Sequence, residues 1–337
     1  MDRVSARLTQ TEDMGTFSMG GLPSLKESLC MHMERYGLSC FPEQIIVTSG
    51  IGESLSMICG AFLGPGMDFY HETPSFLNTI MLLQSTGANM HAIEMDGEGI
   101  DVGRLLPKLR RSKRSVLYVQ PVNHNPTGIH TSSRRRTAVL AACKELGVPI
   151  IENDMFRDFY FNKEFPKPFK AFDNSGQIIY IGSLFSCFAG FKLSWIVAPD
   201  FILERLRDMK KHYELISNVL VEIFADEILC SGIYYNYFER IRPMMQQQYT
   251  KIEQLLDKHL SDIATWRRRS PAYFIWLKFN KDLRSLFSRE GLREYLFFPG
   301  IIFDWKDTQH VRINTMGVCY EDIGMWIQKI SDLVRHN

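Results

Sequence analysis

The sequence predicts an α/β protein: a seven-stranded, mostly parallel sheet clothed by helices, followed by a smaller α+β domain. Three observations carry this. Seven short, near-continuous apolar runs occur before residue 200, as strands buried on both faces should read. Amphipathic stretches of helical period separate most of them, which is the alternation of a parallel sheet. Beyond about residue 200 the order changes to long helical patterns, then short strands, then a last helix, as in a separate α+β unit.

Taken in order, residues 1–19 form a polar arm. The stretch SLKESLCMHMERYG has the pattern of a helix, with Ser24 placed as N-cap and Glu27 three residues on. The strands are IIVTS (45–49), MDFYH (67–71), NMHAI (89–93), VLYVQ (116–120), PIIEN (149–153), IIYIGS (178–183) and LSWIVA (193–198). SRRRTAVLAACKELG (133–147) is typical of the helices between them. A long helical region then runs from FILERLRDMKK to about His259, followed by WLKF, YLFF, VRIN and the helix EDIGMWIQKISDLVRH. The expected division is an arm and helix over 1–40, a large domain over 41–235 and a small domain over 236–337.

The 337 residues are 45% apolar, enough for a substantial core without metals or disulfides. A formal net charge of +1 argues against nucleic acid or an anionic membrane as the main partner. The basic clusters at Arg110, Arg111, Lys113 and Arg114, at Arg134 to Arg136 and at Arg267 to Arg269 read as solvated helix ends and loops. Seven cysteines without a CxxC pair suit reduced thiols rather than a disulfide frame. No apolar h-region opens the chain and no uncharged apolar run nears membrane-spanning length. A cytoplasmic protein is expected.

In open sheets of this kind ligands bind beyond the carboxyl ends of the strands. After the first strand come Gly50 and Gly52, where a backbone can approach a ligand and a helix N-terminus offers N–H groups to an anion. After VLYVQ comes PVNHNPTG, a turn whose Asn125 carries a side-chain amide. Asp154 follows PIIEN, placed either to hold a protonated ring nitrogen or to cap a turn. Ser183, Ser186 and Lys192 lie in and after the sixth strand. Arg312 sits between Val and Ile in HVRINT, where a carboxylate clamp or an ordinary salt bridge would explain a strand arginine.

The series TSGIGESL, ETPSF, PVNHNPTG, IENDMFRDFYF, YIGSLFS…GFKLSWIVAP, FFPGIIF and VRIN resembles the class I/II aminotransferases, which are fold-type I pyridoxal-phosphate (PLP) enzymes. The resemblance runs from about Gly20 to Val334 and is nearest in flavour to the aminotransferase-like domain of MocR-type regulators and to aminoadipate or kynurenine-type transaminases. With no helix-turn-helix module ahead of it, a DNA-binding regulator is disfavoured. The resemblance implies that Gly50, Ile51 and Gly52 donate N–H groups to the cofactor phosphate, with Ser183 and Lys192 beside it. It implies that Phe76 stacks on the pyridine ring, Asn125 bonds the ring's O3′ and Asp154 pairs with the ring nitrogen. Arg312 would bind the substrate α-carboxylate. A homodimer acting on a small amino or keto acid is implied as well.

The departures are informative. The turn S-L-F-S-C-F-A-G-F-K-L-S is one residue shorter than the family pattern, and Ser186 or Phe185 takes the place of the Schiff-base lysine. Phe156 stands where a tyrosine hydroxyl is expected. Three outcomes follow: Lys192 takes over as the reactive amine; PLP or pyridoxamine phosphate (PMP) is held without a covalent bond, with His124 as a candidate base; or the cofactor is lost. The leading expectation is an aminotransferase-like protein with an atypical site. The alternative is a non-catalytic or cofactor-independent member that binds another small molecule, a carrier-bound substrate or a protein.

Overall fold

The computed structural model describes residues 20–161, 164–185, 191–213, 218–268, 271–284, 297–316 and 320–336. The elements among the described residues begin with helix α1 (Pro23–Glu34) and continue through β1 (Ile45–Thr48), α2 (Ile51–Phe62), β2 (Asp68–Thr73), α3 (Leu77–Gln84), β3 (Asn89–Asp96) and β4 (Gly99–Ile100). Next come α4 (Val102–Leu109), β5 (Ser115–Val119), α5 (Ser133–Leu146), β6 (Ile150–Asn153), β7 (Ile178–Phe185) and β8 (Lys192–Val197). The strands form one sheet in the order β1-β8-β7-β6-β5-β2-β3-β4. Pairs β3–β2, β2–β5, β5–β6 and β6–β7 are parallel. Only β8, against both neighbours, and the two-residue edge strand β4 run antiparallel. The seven predicted strands are thus present, and β4 adds a short eighth at one edge.

Side chains alternate across this sheet. Ile46, Ile151, Ile181 and Ile196 pack with Ile58 of α2. Their sequence neighbours Val47, Tyr180 and Trp195 pack against Leu25 and Leu29 of α1. On that same side Ile150 and Ile178 join Leu105 of α4 and Val139 of α5. The α2 face and the α1 face are therefore separate cores, a distinction that matters at the site.

The long helical region resolves into α6 (Asp200–Tyr213), α7 (Val219–Cys230) and α8 (Ile233–Leu260). Gly232, at φ 74°, separates the last two, a left-handed conformation that favours glycine. The small sheet has β9 (Ala264–Thr265), β10 (Phe274–Phe279), β11 (Phe297–Pro299) and β12 (His310–Asn314), all antiparallel in the order β11-β12-β10-β9, and the chain ends in α9 (Tyr320–His336). The α1-face core runs on without a break into Leu277, Ile313 and Ile330 of this unit.

Two local expectations fail. The N-cap of α1 is Leu22 rather than Ser24, because Pro23 occupies the first helical position, where its missing N–H costs nothing. The backbone N–H of Leu22 donates to Glu222 instead, at 2.6 Å. Arg136, expected on a solvated helix face, is buried and donates to the carbonyls of Thr131, Pro121 and Lys167. Among the described residues no helix is long and apolar enough to cross a membrane.

Trp195 lies flat over Gly182, its partner across the β7–β8 pair. A Cβ on Gly182 would stand 2.3 Å from the indole ring. Gly182→Ala therefore overpacks the α1 face, and an equilibrium denaturation should show a loss of about 1–3 kcal/mol.

Candidate functional site

One end of the site forms around the first turn of α2. Gly50 is its N-cap at φ 135°, a backbone conformation that side chains resist. The following Ile51 and Gly52 present first-turn N–H groups, which lack intrahelical acceptors. Lys192 starts β8 beside them: a Cβ on Gly50 would come 3.9 Å from the Lys192 Cβ. Its side chain is exposed. A helix N-terminus with a lysine alongside suits a phosphate dianion. Glu53 in the same turn would oppose an anion, but its carboxylate is taken up by the Ser49 N–H (2.6 Å) and the buried Lys210 ammonium (2.7 Å). Ser183 reaches this region on the α2 face, yet its hydroxyl is committed. It donates to the Leu193 carbonyl and accepts from Ser194, both at 3.0 Å. Ser186, the residue at the expected lysine position, lies outside the described residues.

The other end forms around Arg312. Pairing of β12 with β10 and β11 sets it opposite Trp276 and Phe298. Its guanidinium lies over the rings of Phe298, Phe274 and Phe303, at 4.1, 4.6 and 5.1 Å, and Nη1 donates to Asn125 Oδ1 at 2.7 Å. Among the described residues no carboxylate lies within ion-pair distance of it, and its Nε has no hydrogen-bond partner. Burial pushes its pKa down to about 10, against a smaller upward pull from Tyr273, so it remains a cation at neutral pH. Phe76, at the start of α3, leans on Phe303 with centroids 6.2 Å apart. Phe156 stacks on Tyr273 at 5.1 Å and meets Phe274 edge-on at 5.0 Å. The structure thus brings Asn125, Arg312, Phe76 and Phe156 into one aromatic enclosure.

Asp154 does not join either group. Its backbone N–H extends the β6–β7 ladder to the Ile181 carbonyl, so its side chain projects to the α1 face, opposite α2. There Oδ2 accepts from Arg157 Nε and from the Tyr180 hydroxyl, the latter at 3.2 Å. Arg157 in turn lies 4.6 Å over the Tyr36 ring. Asp154 is a buried ion-pair member, and the expectation that it faces a ring nitrogen is corrected. The side chain that β6 sends to the α2 face at this strand end is Asn153, held by the Tyr118 hydroxyl (2.8 Å) and the Met155 N–H (3.3 Å). Counting positions along ENDMF misses this by one residue, and one residue on a strand is the difference between faces.

Asn123 and Glu72 were not singled out from sequence, and His124, the candidate base, meets the second of them. Asn123, at φ 48° and fully buried, donates to the Phe156 carbonyl and accepts from the Tyr273 N–H, both at 3.0 Å. It ties the NHNPTG turn to β6 and to the entry of β10; asparagine's tolerance of left-handed backbone was the available signal. Glu72 and His124 face each other at 3.5 Å, both 1% exposed. Burial pushes Glu72 up to about 7, with Gln120 N–H and Arg136 pulling it back, and pushes His124 down to about 3. They form a neutral contact over most of the acidic range, which leaves His124 a weak base.

The sequence pattern of the aminotransferase class I and II family matches residues 3–330. Among curated relatives, the uncharacterized HTH-type transcriptional regulator YdfD of Bacillus subtilis is 30% identical over 99% of this chain and 70% of its own length. The uncharacterized HTH-type transcriptional regulator YisV of the same organism is 29% identical over 98% of this chain and 70% of its own length. Among solved structures, an archaeal alanine:glyoxylate aminotransferase superposes with a TM-score of 0.90, at 24% identity, over 100% of this chain and 86% of the other. The kynurenine aminotransferase of Pyrococcus horikoshii, solved with PMP, also gives 0.90, at 23% identity, over 99% and 85%.

Two measurements test the site. Asp154→Asn strands the buried Arg157 charge, so stability should fall by about 3–5 kcal/mol while PLP affinity in equilibrium dialysis stays unchanged; weakened PLP binding in a stable variant would return Asp154 to the cofactor. Glu72 has a folded value above its ordinary 4.5, so its contribution is fully present below 4.5 and is lost as pH rises through about 7. His124 acts oppositely, its contribution being lost as pH falls from its ordinary 6.5 towards about 3. The two partly cancel in wild type. Glu72→Gln removes only the first, so its stability relative to wild type should rise between pH 4.5 and 7, by on the order of 1–3 kcal/mol.

Proposed function

This chain belongs to the aminotransferase class I and II family, and on that footing we propose that it binds an amino or keto acid through Arg312 beside a noncovalently held PLP or PMP, with transamination slow or absent. The observation that carries the reading is the Arg312 guanidinium, buried among aromatic rings without an acid of its own among the described residues. An unpaired buried charge is costly. A carboxylate offers two parallel hydrogen bonds to such a fork.

The residues present suit a PLP-type group at its phosphate end, where Gly50, Ile51, Gly52 and Lys192 would hold the dianion. Asn125 would meet the ring hydroxyl, and Phe76 would cover the ring. When bound, PLP supplies an electron-withdrawing ring to a substrate amine. What this chain adds to that ring is weak. Asn153, an amide, would face the ring nitrogen in place of an acid, so it supplies no charge to keep a proton there. Phe156 offers no hydroxyl, and His124 holds a proton poorly. Positioned acid–base help is worth about 10²–10⁴-fold in rate, and the loss of it leaves binding intact.

The curated relatives support binding over turnover, since YdfD and YisV are described as uncharacterized HTH-type transcriptional regulators and a regulator needs a ligand held rather than consumed. The expectation against a regulator rested on where the chain begins and is set aside. A homodimer fits the exposed Met81, Ile301 and Trp305 on the segments flanking Phe76 and Phe303.

The test is a PLP titration followed by borohydride reduction and peptide mapping, with 2-oxoglutarate binding measured alongside. Reversible PLP binding without a labelled lysine is expected, and Arg312→Gln should weaken the keto acid by about 10–100-fold. A labelled Lys192 peptide would make this a relocated transaminase instead. Unchanged keto-acid affinity in Arg312→Gln would remove the assigned clamp.

A further inference from the structure

A second cavity, of about 710 Å³, opens between α1 and the start of α8. None of Gly50, Asn125, Lys192 or Arg312 lines it. Its volume lies in the range of small-molecule sites, about 300–1,000 Å³. Phe161, Phe165, Tyr235 and Phe238 supply aromatic walls. Its floor is His32, which is 3% exposed and ringed by Tyr36, Tyr234 and Tyr235 at centroid distances of 5.6 to 5.9 Å. His32 Nδ1 is buried without a hydrogen-bond partner, and such orphaned atoms call for an explanation.

Charges of both signs line the same cavity: Arg35 and Arg242, Asp158 and Glu239. Arg35 lies 3.9 Å over the Tyr235 ring. Arg242 uses Nε on the Tyr160 carbonyl at 3.1 Å and lies 5.5 Å from the Phe165 ring centroid. Asp158 accepts the Tyr234 hydroxyl. Among the described residues none of the four is in an ion pair. Two cations stacked on rings, two acids near Arg242 but outside ion-pair distance and an aromatic lining describe the complement of one kind of molecule.

We propose that this cavity is a binding site for an aromatic α-amino acid. The carboxylate is taken by Arg35 and Arg242, the ammonium by Asp158 and Glu239, and the ring by Phe165, Tyr235 and Phe238. Ring stacking under arginine and charge-assisted hydrogen bonds at each end supply the affinity. The site is separate from the Arg312 enclosure, so one chain carries two ligands.

The experiment uses the full chain bearing Arg312→Gln, which silences the first enclosure. L-phenylalanine is titrated by calorimetry, with 3-phenylpropanoate and 2-phenylethylamine as controls that each lack one charge. The expected result is saturable binding of L-phenylalanine, with each control at least about tenfold weaker. Arg35→Gln, at an exposed position, should weaken L-phenylalanine about tenfold with melting temperature unchanged, and Arg242→Gln should weaken it about tenfold as well. No binding in the Arg312→Gln chain overturns the proposal. So does binding that both arginine variants leave untouched, or controls that bind as well as the zwitterion.

Discussion

A guanidinium buried without a carboxylate partner among the described residues is the constraint around which this site is arranged. Arg312 lies in β12, an inner strand of the small sheet, and its contacts among the described residues, three ring faces and one amide oxygen, fall short of full neutralisation. Rings stabilise a cation over their faces by up to about 2 kcal/mol when desolvated, less than a paired carboxylate gives. The arrangement keeps the charge in place and leaves it available. It also depends on parts far apart in the chain. Asn125 belongs to the turn after β5, Phe274 and Phe298 to neighbouring strands, and Phe303 to the loop beyond β11.

What keeps those parts in register is the Asn123 clamp. Its amide spans the turn, the Phe156 carbonyl and the Tyr273 N–H, so the strand-end loops of the large sheet and the entry to β10 of the small unit are one hydrogen-bonded body. Gly128 tightens the same seam. It sits at φ 68°, where a Cβ would come 2.3 Å from the Phe274 carbonyl oxygen, so only glycine lets the two backbones approach. The shared apolar core on the α1 face runs under both units and makes the seam part of the fold rather than a loose interface.

The sheet's alternation then decides the chemistry. Asn153 and Asp154 are adjacent and face opposite ways. The acid is spent inside the fold on Arg157 and Tyr180, and the amide is left towards α2. On the reading proposed above, an amide rather than an acid on the α2 face favours holding a ligand over turning it over. The same reasoning separates Ser183, whose hydroxyl is committed to its own strand pair, from Lys192, whose side chain is exposed.

The sequence by itself determined the strands, their mostly parallel order, the glycine turn before α2 and the family. Those signals are local: apolar runs buried on both faces, helical periods between them, and motifs read within a few residues. It also picked out Asn125 and Arg312, because a strand arginine between apolar neighbours is anomalous wherever it lies. Only the tertiary structure decided that these two touch, that Arg312 has rings rather than acids around it among the described residues, and that Asp154 faces away. Each of those depends on strand register and on which face a side chain takes, and both are fixed by pairing and packing between segments distant along the chain, as with Arg312 and Asn125, 187 positions apart, which no short window contains.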